Sequence, residues 1–357
     1  MATNRYWHAL NDGSGKLQCD LCPRYCKIPS GSRGLCYVRG NQNNEIALLS
    51  YGRSSGFCID PVEKKPLNHF LPGTPVLSFG TAGCNLACKF CQNWDISKSR
   101  ENESLAAAAS PEQIALAAAQ HQCRSVAYTY NDPVIFMEYA LDVAEQCQHH
   151  NILNIAVTAG YICPEPRIEF FQSMDAVNVD LKAFSENFYR KICGGHLAPV
   201  LETLLYIQHE THCWLEITTL LIPGENDSDE ELDQLTAWIA EHLGVTTPLH
   251  FSAFHPDWKM LNHAPTPLAT LQRARAIGLK NGLKYVYTGN VHDPAGDTTY
   301  CPQCAEPVII RDWYQLQTWA LRENGLCGHC GATVHGVFEA TPGQWGAKRK
   351  VIPMHQS

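Results

Sequence analysis

The chain has 357 residues and a formal net charge of -8, enough length for one large domain with appendages or for two domains around a sizeable core. That charge weighs against a nucleic-acid binder, which neutralises phosphates with Lys and Arg, and no segment holds the ~20 apolar residues of a membrane helix. Seventeen cysteines follow a polar stretch, Met1 to Leu17, that lacks the apolar core of a secretion signal. The expected location is therefore a reducing cytoplasm, with thiolates serving metals instead of disulfides.

Residues 1–74 read as a cysteine-rich segment. Cys19, Cys22, Cys26 and Cys36 supply four thiolates within eighteen residues, and Pro23, Pro29, Gly31 and Gly34 leave little core for free cysteines to fill. The set is expected to bind a metal, either zinc or a second iron–sulfur cluster.

Residues 75–292 alternate strand and helix signals. Strands are expected at Val76–Thr81, Ser125–Tyr130, Leu153–Thr158, Ala176–Leu181, Cys213–Leu220, Leu249–Phe254 and Tyr285–Gly289. Ser110-Pro111-Glu112-Gln113 and Ser228-Asp229-Glu230-Glu231 are capping boxes that open helices, and Thr266-Pro267 opens a third. Such βα units predict an α/β fold with a parallel sheet, a partial TIM-like (β/α)6 barrel. A doubly wound open sheet is the alternative, although no G-x-G-x-x-G follows any strand.

After the first core strand, Cys84, Cys88 and Cys91 form a C-x3-C-x2-C run. Three thiolates are one too few for a closed site. A cubane cluster usually takes four cysteines, so one iron here keeps a position open, as catalytic metals do. The competing assignment is zinc with a fourth ligand elsewhere.

In Val177-Asn178-Val179-Asp180-Leu181-Lys182 the apolar residues share one face and Asn178, Asp180 and Lys182 the other. A buried parallel strand should be apolar throughout, so a polar face predicts a wet functional cavity. Thr158, Glu216 and Thr218 are expected to contribute to it near strand ends, where barrels place their chemistry. A structural Asp180–Lys182 ion pair is the other reading. Asn131 and Asp132, in Tyr130-Asn131-Asp132-Pro133, are candidates to accept from a ligand's ammonium, and His255 stands at the end of the sixth strand.

Residues 293–357 carry Cys301-Pro302-Gln303-Cys304 and Cys327-Gly328-His329-Cys330, two knuckles with the spacing of a zinc ribbon. Rubredoxin-type iron takes the same ligands. A closed site of this kind is expected to be structural.

The cysteine run with Phe90 before its last member resembles the radical S-adenosylmethionine (SAM) superfamily. The resemblance implies a [4Fe-4S] cluster on Cys84, Cys88 and Cys91, SAM on the open iron, and Phe90 near the adenine. Asp180-Leu181-Lys182 and His255 resemble SAM-contacting positions of the pyruvate formate-lyase activating enzyme and its relatives. Where many of those carry Gly-Gly-Glu for the SAM amine, this chain has Asn131 and Asp132. Taken with the flanking cysteine sets, the chain resembles the radical SAM component of the AmmeMemoRadiSam system, which implies AMMECR1-like and Memo-like partner proteins. A flavodoxin- or ferredoxin-type reductant is expected as well.

The function expected is reductive cleavage of SAM to a 5′-deoxyadenosyl radical that abstracts hydrogen from a protein or small-molecule substrate. Activation of a glycyl-radical enzyme is the alternative, and a non-catalytic electron-transfer scaffold is a third. The flanking modules, absent from minimal activating enzymes, favour the first. A polar cavity has no use in an electron carrier.

Overall fold

The computed structural model describes residues 5–98 and 107–354. Its central sheet begins with β1 (Phe57–Pro61), antiparallel to β2 (Pro75–Phe79). Then come β3 (Ser125–Tyr128), β4 (Leu153–Thr158), β5 (Ala176–Asp180), β6 (Trp214–Leu221), β7 (Leu249–Ala253) and β8 (Val286–Gly289). Each is parallel to the one before it. β9 (Lys350–Ile352) pairs antiparallel with β1, giving the order β8-β7-β6-β5-β4-β3-β2-β1-β9. The parallel α/β sheet is the one expected, and all seven expected strands take part in it. β1 comes from the cysteine-rich N-terminal segment and β9 from the C-terminal module.

Six helices connect the parallel strands: α1 (Pro111–Gln120), α2 (Met137–His149), α3 (Pro164–Gln172), α4 (Ala198–Glu210), α5 (Asp229–His242) and α6 (Leu268–Lys280). The α1 box forms as expected, Ser110 and Gln113 each bonding the other's backbone N–H. At α5 only half of the box forms. Ser228 accepts from Glu231 N, while the Glu231 carboxylate turns away to accept from Phe184 N at 2.7 Å. Thr266 does not cap α6. Its hydroxyl donates to Leu221 O and accepts from Phe254 N, tying the ends of β6 and β7 together.

The N-terminal ends of the strands are plugged by the segment between β1 and β2, where Leu67 and Phe70 are buried. Two expectations are corrected there. Asn178 does not line a wet cavity, because it is fully buried with its Nδ2 donating to Pro66 O at 2.8 Å, although its Oδ1 has no partner. Glu216 is also closed: its carboxylate accepts from Asn68 N, His69 N, Trp214 Nε1 and His250 Nε2 at 2.7–3.0 Å. A buried carboxylate is tolerable only when its lone pairs are taken up in this way. Burial alone would raise its pKa, but the bond to His250 and the charge around it hold Glu216 below the usual carboxylate range.

The C-terminal module packs under the same end. Tyr285 and Tyr287, at the start of β8, bury with Cys301, Val308 and Ile309, and the buried Arg311 donates to Asn68 O at 2.8 Å. The part of the N-terminal segment that carries Cys19 to Cys36 lies at the other end of the strands. Cys163, just before α3, donates its N–H to Leu21 O, and Arg39 pairs with Glu138 of α2. No helix among the described residues is long and apolar enough to cross a membrane.

Candidate active site

The chain leaves β2 at Phe79 and turns over the C-terminal ends of the strands. Gly83 sits there at φ +81°, and a Cβ on it would lie 1.9 Å from Cys36 O, so only glycine fits. Asn131 clamps this turn. Its Oδ1 accepts from Thr81 N at 3.0 Å, and its Nδ2 donates to Ala82 O at 3.2 Å and to Gly83 O at 2.9 Å. Asp132 accepts from Val134 N and Thr158 Oγ1 with one oxygen and from Ala159 N with the other. Asn131, Asp132 and Thr158 thus knit the ends of β3 and β4 to the cysteine loop, with these atoms bonded inside the protein. Burial raises the Asp132 pKa.

Three cysteines follow on one loop. Cys84 Sγ lies 3.5 Å from Leu86 N, and Cys91 Sγ lies 3.1 Å from Ser97 Oγ, in the short helix Trp94–Ser97. Cys88 lies beside the free thiol of Cys193, on a π-helical turn, Tyr189–Cys193. That turn also accepts the N–H groups of Ala87 and Lys89. The Cys193 hydrogen bond, with Lys182 and Lys98 nearby, holds Cys88 below the ordinary thiol range. Burial pushes Cys84 up to about 12 and raises Cys91. Bound iron would reverse that preference, since a cation is the largest local charge in such a site.

The donor set fits a cluster better than a single ion. Among the described residues, only Cys301, Cys304, Cys327 and Cys330 bring three or more ligand atoms within 4.8 Å of one another. Cys84, Cys88 and Cys91 form no such set. The same loop supplies N–H and hydroxyl donors to its sulfurs, as cluster sites do.

Asp180 ends β5 and pairs with Lys182 at 3.0 Å. Lys182 Nζ lies 5.8 Å from the centre of the buried Phe90 ring. Burial alone would lower the Lys182 pKa, yet Asp180 and the thiols of Cys88 and Cys193 hold it well above its usual value. Thr218 is the register partner of Asp180 on β6, and its buried hydroxyl has no hydrogen-bond partner. An unsatisfied buried hydroxyl beside an ion pair suits a polar ligand. His255, exposed, follows β7 on a loop that meets the cysteine loop through Lys259 N to Lys89 O at 3.1 Å and Trp94 Nε1 to Asp257 Oδ1 at 3.1 Å.

The structure therefore gathers Cys84, Cys88, Cys91, Phe90, Asp180, Lys182 and the His255 loop at one end of the strands. Cys193, Ser97 and Lys98 join them without a sequence signal, for a single cysteine in a helix reads as core. Lys98 Nζ donates to Leu86 O at 2.7 Å and lies 5.5 Å from the Trp258 ring centre. The C-terminal four stand apart at the opposite end, with Sγ–Sγ distances of 3.6 Å (Cys301–Cys330) and 3.8 Å (Cys304–Cys327).

The sequence pattern of the radical SAM superfamily matches residues 79–236. The chain is 38% identical over 334 residues to an uncharacterized protein of Methanocaldococcus jannaschii, covering 93% of this chain and 98% of that one. Among solved structures it is similar to a domain of a pyruvate-formate lyase-activating enzyme from Bacteroides vulgatus, with a TM-score of 0.41 and 16% identity over 46% of this chain and 99% of that one. A radical SAM methyltransferase from Sphaerobacter thermophilus gives a TM-score of 0.48 and 15% identity over 66% of this chain and 72% of that one.

Proposed function

Since the chain belongs to the radical SAM superfamily and is an enzyme, we propose that Cys84, Cys88 and Cys91 hold a [4Fe-4S] cluster that cleaves SAM reductively to begin a hydrogen abstraction. The observation that carries this reading is the placement of three thiols on one loop beside the Asp180–Lys182 pair. When bound, the cluster supplies one electron to SAM, whose products are methionine and a 5′-deoxyadenosyl radical. The protein's own part is to bind, orient and exclude water.

SAM carries an ammonium and a carboxylate, and Asp180 and Lys182 offer one charge of each complementary sign. Phe90 supplies an apolar ring for the adenine, Thr218 an unspent hydroxyl, and His255 a further polar group on the facing loop. Asn131, Asp132 and Thr158 hold the cysteine loop in place. The electron is expected from a flavodoxin- or ferredoxin-type protein, and an oxygen-sensitive cluster suits a reducing cytoplasm. The C-terminal cysteines suit one zinc or iron ion that stabilises their module.

The test is anaerobic reconstitution with iron and sulfide, reduction with dithionite and chromatography of the products of SAM. The wild-type chain should release 5′-deoxyadenosine and methionine. The Cys84→Ala/Cys88→Ala/Cys91→Ala variant should release neither. Equal product from that variant, or none from a wild-type chain that holds about four more irons than the variant, overturns the reading.

A further inference from the structure

The N-terminal cysteines surround a pocket that the proposed reaction does not use. Cys19, Cys22, Cys26 and Cys36 all line it, with Arg24 and Asn85. Three of them come from a short antiparallel meander, Trp7–Ala9, Leu17–Cys19 and Lys27–Ile28, in which Cys19 N donates to Cys26 O at 3.0 Å. The fourth arrives on a separate turn closed by Tyr37 N to Gly34 O at 3.0 Å. Gly34 lets that turn come close, since a Cβ there would lie 3.2 Å from Ile28 Cδ1.

The two four-cysteine sets differ in spread. A tetrahedral ion with metal–sulfur bonds of about 2.3 Å puts its sulfurs about 3.8 Å apart. The C-terminal set already has that spacing, at 3.6 and 3.8 Å. The N-terminal thiols face one shared pocket yet do not draw together within 4.8 Å as the C-terminal ones do. Four thiols that share a pocket without closing to that spacing are the donor set of a cubane, whose ligands sit on four different irons.

A second observation concerns charge. Arg24 lines the pocket, and its Nη2 is buried without a hydrogen-bond partner, while its Nε donates to Asn85 O at 2.7 Å. Four thiolates around a cubane leave net negative charge and bridging sulfides that accept hydrogen bonds. The buried Arg39, which also lines the pocket and whose charge acts on Cys19 and Cys36, meets the first need.

We infer that Cys19, Cys22, Cys26 and Cys36 hold a second four-iron cluster and not a zinc ion. Its place in the fold gives it a task. Cys36 O lies against Gly83 and Asn85 forms part of the pocket wall, so the pocket touches both neighbours of Cys84. Leu35, which also lines the pocket, is 45% exposed. The second cluster thus lies between solvent and the catalytic loop. It can take one electron from a one-electron reductant protein and pass it on, with no bond made and no proton moved. This task, unlike the cluster itself, rests on the radical reading above.

The deciding experiment counts iron, acid-labile sulfide and zinc per chain after anaerobic reconstitution. The wild-type chain should hold about eight irons and eight sulfides in its two cubanes, and the Cys84→Ala/Cys88→Ala/Cys91→Ala variant about four of each. Adding Cys19→Ala and Cys22→Ala to that variant should remove the remaining sulfide. About four irons in the wild type and no sulfide in the triple variant overturns the second cluster while leaving the radical reading intact. Two zinc ions per chain in the triple variant overturns it as well. If the triple variant keeps its four irons and the loaded wild type cannot cleave SAM, the second cluster stands and the radical reading falls.

Discussion

The two ends of the parallel strands treat buried polar groups in opposite ways. At the N-terminal end the chain supplies partners for most of its charged groups: Glu216 has four donors, His69 lies between His335 O and the Tyr287 hydroxyl, and Arg311 reaches Asn68 O, with only single atoms such as Asn178 Oδ1 and Arg311 Nε left over. At the C-terminal end Asp180 keeps about a third of its side chain exposed, and the Thr218 hydroxyl is left without a partner. A polar group closed by its own chain builds the fold. One left with open hydrogen-bonding capacity awaits a ligand. The appended modules follow the division, the C-terminal one sealing the closed end and the Cys19 to Cys36 part of the N-terminal one backing the open end.

Breaking the closed end should cost the most stability. Glu216→Gln replaces a carboxylate that accepts from four donors, and losing one partner of a buried pair costs about 3–5 kcal/mol. The urea midpoint should fall accordingly, while SAM cleavage per folded molecule stays near wild type. An unchanged midpoint would mean that the plug, and not the carboxylate, closes this end.

A slightly smaller effect should appear with pH. His69 Nδ1 faces the His335 carbonyl at 2.6 Å and so carries the proton, leaving Nε2 to accept from the Tyr287 hydroxyl at 2.5 Å. Burial lowers the His69 pKa from 6.5 to about 4. Between those values the unfolded chain binds the extra proton and the folded chain does not, so stability is full above about pH 6.5 and declines towards pH 4. The loss is about 3 kcal/mol at 1.36 kcal/mol per unit. His69→Gln should flatten that slope in urea melts taken across the interval, and an unaltered slope would place its origin elsewhere.

Much of this division was legible in the sequence, but not where along each strand it fell. Alternation in Val177 to Lys182 put Asp180 and Lys182 on one face, and the two pair with Lys182 near the Phe90 ring. The same reasoning failed for Asn178 and Glu216 because the residues that close them, Pro66, Asn68 and His69, lie more than a hundred positions away. Counting along β6 helps afterwards: Glu216 is third in Trp214–Leu221, near its start, where barrel strands carry stability and not chemistry. β1 and β9 escaped because both pair antiparallel and no α-helix follows either to mark a βα unit. Thr266-Pro267 looked like a cap, yet its hydroxyl found better partners on β6 and β7. The cysteine spacings were legible because metals demand them, whereas Cys193 owes its place beside Cys88 to a π-turn that no local pattern announces.

The most direct measurement of the contrast is SAM affinity in Asp180→Asn, titrated anaerobically on reconstituted protein, with the melting temperature taken on the same sample. Loss of one charge-assisted hydrogen bond should weaken SAM binding by about 1–3 kcal/mol. The melting temperature should move less, because Asp180 is a third exposed and the amide of the same shape can still accept from Lys182. Unchanged affinity with a clear fall in melting temperature would contradict the account, making Asp180 and Lys182 a structural pair and the open end no more a ligand site than the closed one.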